Sequence, residues 1–318
     1  MGGLLIEPDI STQAAESRDR ISLRCVRCKA DLNGLNCARC GLQMPEEHGI
    51  VHALAPERTA HFTRFIEDYE RIRCAEGRGG KNPEFYLHLP YEHVSGHNKV
   101  QWHIRARSYE CLIRSVLNGM RNRAILDLGA GNCWMSYRLS LLGHRPVAVD
   151  LLTNDDDGLG AAAHYQAALS KSFPRFQAEF TNLPFQGGQF DVVIYNSSFH
   201  YSEDYEASLR EALRCLRDGG IVVISDTAWY SCEESGRRMV FERQAAFRQR
   251  YGTASDSIQS LEFVTDERLW LLEEQLSIRW TAYSPRYGLK WALRPWIARL
   301  RGSREPSKFR IYAARKNA

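Results

Sequence analysis

A chain of 318 residues with 44% hydrophobic and 25% charged side chains is long enough for about two structural units and globular in composition, which excludes fibrous and low-complexity architectures. Its longest apolar runs fall far short of the roughly 18 to 20 residues that a spanning helix needs, and the opening residues carry Glu7, Asp9, Glu16 and Asp19 in place of a secretory signal's apolar stretch, so a cytoplasmic protein is expected. The net charge of +4 is unevenly placed, because eleven Lys/Arg stand against Glu305 alone from Arg279 onward.

Residues 1–20 are polar and aperiodic and predict a loose tail. The next segment, 21–56, holds Cys25, Cys28, Cys37 and Cys40, two CxxC pairs whose thiolates are the donor set of a tetrahedral structural zinc. A segment this short cannot bury a core of its own, so a metal is its natural stabiliser. Four sulfurs close the coordination sphere and leave no position for catalysis. The other five of the nine cysteines are scattered singly, which argues for a metal site plus reduced thiols over a disulfide framework.

Apolar residues at helical spacing, Phe62, Phe65, Ile66, Tyr69 and Ile72, predict a helix over 57–76 that ends at Gly77. The stretch 77–96 reads as a linker or lid rich in aromatics and histidines (Phe85, Tyr86, His88, Tyr91, His93), and a second helix is expected over 100–117. The aromatics from Phe85 to His103 fit either a lid over an acceptor or ordinary core. Together 57–119 make a helical cap segment. From 123 onward short apolar runs at 124–128, 146–150, 176–180, 190–195 and 220–225 alternate with helical segments, the signature of an α/β fold with a parallel sheet and crossover helices. A strand over 278–283, a basic amphipathic stretch over 289–300 interrupted by Pro295, and a last strand over 309–313 complete a domain over 120–318.

The first of these strands runs into the turn Gly129-Ala130-Gly131 and then a helix, an arrangement in which the backbone can approach a ligand closely and helix N–H groups remain free. Such a turn serves dinucleotides equally well. The next strand ends in Asp150, where an acid can accept hydrogen bonds from both ribose hydroxyls of a nucleoside. Asp127, two residues before the first glycine, separates the alternatives: a carboxylate there repels a pyrophosphate and suits the ammonium end of a methionine moiety.

With the block Leu183-Pro184-Phe185 followed by Phe190 and Asp191, residues 123–226 resemble the core of the Rossmann-like S-adenosylmethionine-dependent methyltransferases, specifically the group called methyltransferase type 11. The resemblance implies a seven-stranded sheet with helices on both faces, its last two strands forming an antiparallel hairpin, preceded here by the small zinc-binding segment. It also implies S-adenosylmethionine as methyl donor, held by Asp127, Gly129, Ala130, Gly131, Asp150, Leu151, Glu179, Phe180 and Asn196. Two positions depart from the pattern. Cys133 stands where many relatives have a third glycine for close packing of helix on strand, and Phe180, beside Glu179, stands where an acid commonly precedes the Leu-Pro-Phe block.

Residues 37–50 look like the zinc ribbons that precede some methyltransferases, an RNA-base methylating group among them. The catalytic candidate is His200 in Asn196-Ser-Ser-Phe-His200, at a position that usually faces the transferring methyl in this fold and where an imidazole can take a proton from an oxygen or nitrogen acceptor. A packed or capping histidine is its plainer role. No Asn/Asp-Pro-Pro-Tyr/Phe sequence follows the fourth strand, which disfavours methylation of exocyclic amines in DNA. The basic C-terminal stretch, Arg286, Lys290, Arg294, Arg299, Arg301 and Arg304 among Trp291, Leu293, Trp296, Ile297 and Leu300, leaves three roles open: an anionic membrane surface, RNA phosphates, or a solvated edge. The expected reaction is methyl transfer to a small or lipid-linked metabolite. RNA methylation and a non-catalytic binding protein are the alternatives.

Overall fold

The computed structural model describes residues 21–78, 82–91 and 98–317. The expected tail at 1–20 and His93 lie outside the described residues. Four strands build the middle of the sheet: β5 (Ala124–Leu128), β6 (Arg145–Asp150), β8 (Phe190–Asn196) and β9 (Leu216–Ser225). Their interiors are apolar and buried on both faces, the pattern of parallel strands covered by helices on each side. With β7 (Arg175–Gln177), β11 (Trp280–Tyr283) and β13 (Ile311–Arg315), the order is β11-β13-β9-β8-β5-β6-β7. Strand β13 runs antiparallel to both of its neighbours, so the expected C-terminal hairpin is present.

The sheet does not stop at seven strands. It has nine, because β4 (Ile50–His52) pairs in parallel with β7, and β3 (Glu46–Glu47) pairs antiparallel with β4. The backbone groups along the outer side of β7 would otherwise be unpaired, and the chain leaving the cysteine segment satisfies them. That segment also holds β1 (Leu23–Arg24) and β2 (Asp31–Leu32). It is not a separate bead: Cys25, Val26, Leu42 and Met44 belong to the same buried cluster as Leu126, Phe185 and Val193 of the sheet domain. Strand β7 ends at Gln177, short of the expected 180, because Ala178 donates to Asp150 O and the chain then turns onto the rim of a cavity at Glu179 and Phe180.

Helix α1 (Pro56–Ala75) starts with proline at its first position and ends before Gly77, which adopts φ +68°. Within the expected linker a short helix α2 (Pro83–His88) forms, its Asn82 side chain accepting from the Phe85 N–H. Helix α3 (Lys99–Ser115) follows. The aromatics Phe85, Tyr86 and Trp102 pack into the cluster on one sheet face with helix α4 (Trp134–Leu141), so they are core. Helix α5 (Tyr205–Cys215) covers the other face. Between β9 and β11 lie β10 (Ala228–Trp229), α6 (Glu233–Tyr251) and α7 (Asp266–Leu276), three elements the sequence reading did not place. The amphipathic stretch 289–300 is two helices, α8 (Leu289–Ala292) and α9 (Arg294–Leu300), separated where Pro295 removes a backbone donor, and the short strand β12 (Lys308–Phe309) follows them. Among the described residues no helix is long and apolar enough to cross a membrane.

Candidate functional site

A cavity of about 1070 Å³, its open mouth included, sits over the carboxyl ends of β5, β6 and β8, where the order of an open α/β sheet reverses direction. The glycine turn forms its floor. Gly129 has φ +75°, and a Cβ there would fall 2.2 Å from Ser198 Cβ, so both the conformation and the space admit only glycine. Gly131 adopts φ +52° and donates its N–H to Asp150 Oδ2 at 2.7 Å. Cys133 is itself left-handed at φ +63° and fully buried as the residue before α4. A third glycine in relatives would thus be favoured here by the backbone conformation rather than by helix packing alone.

Two acids face this floor. Asp150 accepts N–H bonds from Gly131 and, at 2.8 Å, from Leu152, yet burial pushes its carboxyl up to about 6. Asp127 is fully buried and accepts from Ser136 Oγ at 2.7 Å through Oδ2, while its Oδ1 has no partner among the described residues. Burial pushes this carboxyl up to about 7. A buried acid with one unsatisfied oxygen is held ready for a cation or a donor from a ligand.

The roof comes from α1, where Phe62, Phe65, Tyr69 and Arg73 line the cavity with Tyr201 and Ile258. Arg73 is paired with Asp157 and lies against the Tyr69 ring. Arg105 on α3 also lines the cavity and stacks over Trp102, 4.7 Å from the ring centroid. Its guanidinium has no hydrogen-bond or ion-pair partner among the described residues, and burial, with Arg78 and Arg73 nearby, pulls it down to about 10. The sequence reading missed Arg105. Its signal was a lone cation on the stripe Trp102, Ala106, Tyr109 and Leu112 that α3 buries.

The structure brings Asp127, Gly129, Ala130, Gly131, Asp150, Leu151, Glu179, Phe180 and Asn196 together around one cavity. Glu179 is already engaged: Arg58 forks onto its carboxylate at 2.7 to 3.0 Å, and Thr181 Oγ1 donates to it. Phe180 packs its ring edge-on against Tyr195 at the same rim. His200 lies beside the cavity, in the turn Phe199–Tyr201, while its neighbour Tyr201 lines the wall. Burial pulls its imidazole down to about 4, and its Nδ1 has no partner among the described residues.

Away from this cavity the four Sγ atoms of Cys25, Cys28, Cys37 and Cys40 all lie within 4.8 Å of one another, with Cys25 to Cys40 and Cys28 to Cys37 at 3.5 Å. Sulfurs about 2.3 Å from a tetrahedral zinc are about 3.8 Å apart, so the quartet fits that ion. Cys37 O accepts from the Gly41 N–H in the turn that holds the second pair, and Gly41 takes φ +72° to close it. The segment is held to the sheet domain by Arg24, whose N–H donates to Pro184 O and whose guanidinium pairs with Glu211 at 2.5 Å.

Residues 126–224 match the family model of the methyltransferase domain. Over these residues, about a third of the chain, it is similar to S-adenosylmethionine-dependent methyltransferase domains, and its sheet has their Rossmann-like fold. Curated relatives of the methyltransferase domain include the demethylmenaquinone methyltransferase of Mycolicibacterium gilvum, 32% identical over 102 residues, or 32% of this chain and 41% of the relative. A sarcosine/dimethylglycine N-methyltransferase of Halorhodospira halochloris is 30% identical over 102 residues, or 32% of this chain and 37% of the relative. The chain thus spans about two fifths of the length of these relatives. Among solved structures, an S-adenosylmethionine-dependent methyltransferase from Mesorhizobium loti is 18% identical with a TM-score of 0.45, covering 64% of this chain and 95% of its own.

Proposed function

We propose that the chain transfers the methyl group of S-adenosylmethionine to a small or lipid-linked metabolite. The observation that carries this reading is the opposition of charge across one cavity, with Asp127 and Asp150 at the strand ends and the unpaired Arg105 on α3. Each oxygen of Asp150 already accepts one backbone N–H and keeps a lone pair for a ribose hydroxyl. Asp127 suits the donor's ammonium and Arg105 its carboxylate, the two charges of an amino-acid end. Phe180 and Leu151 flank the base. When bound, the donor supplies a methyl group already activated on a sulfonium. The chain's own work is alignment and exclusion of water, for which Phe65, Tyr69 and Tyr201 close the roof.

His200 does not line the cavity; its neighbour Tyr201 does, and we assign to the His200 ring, a weak base when pulled to about 4, at most the reception of an acceptor's proton. We assign a structural zinc to the four cysteines. Support for a metabolite acceptor comes from matched relatives that are named for demethylmenaquinone and for sarcosine and dimethylglycine. An RNA acceptor is the competing reading, favoured by the cysteine segment and the basic C-terminal edge.

The test is calorimetry with S-adenosylhomocysteine on the intact chain, followed by transfer of labelled methyl into extract divided into lipid, small-molecule, protein and RNA fractions. Binding that Asp150→Ala abolishes, with label in the lipid or small-molecule fraction, is expected. Absence of binding overturns the methyltransferase reading, label confined to RNA selects the competing acceptor, and binding without label in any fraction favours a non-catalytic protein.

A further inference from the structure

We infer that the surface made by α8 and α9 docks on an anionic lipid bilayer beside the donor cavity. Five of the twelve exposed large apolar residues among the described residues stand there: Leu289 (84% exposed), Leu293 (53%), Trp296 (66%), Ile297 (41%) and Leu300 (87%). Their spacing is i, i+4, i+7, i+8 and i+11, a single stripe along a helical axis, and the backbone bonds from Leu293 N–H to Leu289 O and from Ile297 N–H to Leu293 O carry that axis across the break at Pro295. Burial inside the protein does not account for the stripe, because neither helix has a buried residue.

Charge selects the occupant. Arg286, Lys290, Arg299 and Arg301 flank the stripe, are exposed, and have no ion-pair partner among the described residues, and no acid occurs from 286 to 301. An apolar face bordered by unpaired cations matches a lipid surface whose headgroups are negative and whose acyl region accepts Leu and Trp side chains. A nucleic acid would use the cations and leave the apolar stripe in water. A second copy of the chain would have to bring like charges together.

The helices are fastened in place from beneath. Trp291 turns inward, stacking on Phe309 and under Arg294, whose guanidinium carbon is 3.8 Å from the ring centroid. Just before α8, the Tyr287 hydroxyl bonds Ser108 Oγ at 2.8 Å, and Ser108 lies one turn along α3 from Arg105 on the cavity wall. A bilayer seated on this surface lies near the cavity that would receive a lipid-linked acceptor. In that respect the inference deepens the proposed function, while vesicle binding is read without any transfer assay.

The experiment is co-sedimentation of the full chain with vesicles of phosphatidylglycerol and phosphatidylcholine, against vesicles of phosphatidylcholine alone, in low and in physiological salt. The expected result is partition onto the anionic vesicles, reduced at least tenfold in Trp296→Ser/Leu300→Ser and in Lys290→Glu/Arg299→Glu/Arg301→Glu. Far-ultraviolet circular dichroism and the melting temperature check that each variant keeps the wild-type fold, and S-adenosylhomocysteine calorimetry is read separately, so a failed vesicle result and a failed methyltransferase reading are told apart. Three results overturn the inference: no partition at low salt, partition that the charge variant loses but Trp296→Ser/Leu300→Ser retains, or a concentration-dependent dimer abolished by the same apolar substitutions.

Discussion

Ser198 and Gly129 touch across the floor of the cavity: Ser198 Oγ donates to Leu128 O at 2.5 Å, which holds its Cβ where a Cβ on residue 129 would need to be. Gly129→Ala must therefore displace the turn that ends β5. The expected outcome is at least a tenfold loss of affinity for S-adenosylhomocysteine with little change in far-ultraviolet circular dichroism. Adding Ser198→Gly removes the clash but not the positive φ, which costs an alanine about 1 kcal/mol, so it restores only part of the loss. Full affinity in Gly129→Ala alone would show that the ligand does not use this floor.

Asp127 is expected to make donor binding depend on pH. Its carboxyl, pushed up to about 7 by burial, is mostly protonated at pH 6 and mostly ionised at pH 8. A cationic ligand end selects the ionised form. Affinity for S-adenosylmethionine is expected to tighten about tenfold between those values, with proton release on binding near pH 6.5. Calorimetry in two buffers of different ionisation enthalpy reads both effects, and Asp127→Asn should flatten them.

The same acid affects stability in the opposite sense. Because the folded-state value lies above the unfolded one, the native state holds the extra proton, and stability is lost as pH rises from about 4 through about 7. Asp127→Asn is accordingly expected to raise the melting temperature of the ligand-free chain at pH 8 and to leave it unchanged below pH 4. Equal effects at both ends would argue against a buried proton at this site.

Arg105→Met tests the carboxylate assignment. The side chain keeps most of its bulk against Trp102 while losing its charge. Affinity for S-adenosylhomocysteine should fall about tenfold or more, as expected when one charged partner of a hydrogen-bonded ion is removed. Affinity for 5′-methylthioadenosine, which lacks the amino-acid end, should not move. An equal drop for both ligands points to a collapsed wall rather than to lost recognition.

If the four cysteines hold the proposed zinc, its removal is expected to weaken ligand binding at the cavity. The cysteine segment shares its buried cluster with Phe185, and β4 completes the edge of β7, whose chain continues into Glu179 and Phe180. Purified protein is expected to contain about one zinc per chain. Cys37→Ser should lower both the melting temperature and the affinity for S-adenosylhomocysteine. Metal-free protein with unaltered ligand affinity would separate the two sites.

Much of this was readable in the residues. Strands β5, β6 and β8 announce themselves as apolar runs, and the acids and glycines at their ends line one cavity. The pairing of Ile50–His52 with Arg175–Gln177 was not readable, because parallel register between segments so far apart leaves no local periodicity. Helix α6 was missed for a different reason: among its residues only Gly236 is buried, so it has no apolar stripe to detect. The roof residues on α1 appear in sequence as an ordinary amphipathic face, and only the fold tells which of them look onto a cavity and which onto core.

The parallel seam between β4 and β7 also orders events during synthesis. Ile50–His52 leaves the ribosome long before Arg175–Gln177 exists to receive it, so the four-cysteine segment and β4 must wait, without their partner, until that docking margin is translated. A shortened gene product that begins after β4 would carry a naked sheet border from birth, and insolubility on expression is the behaviour to expect of it.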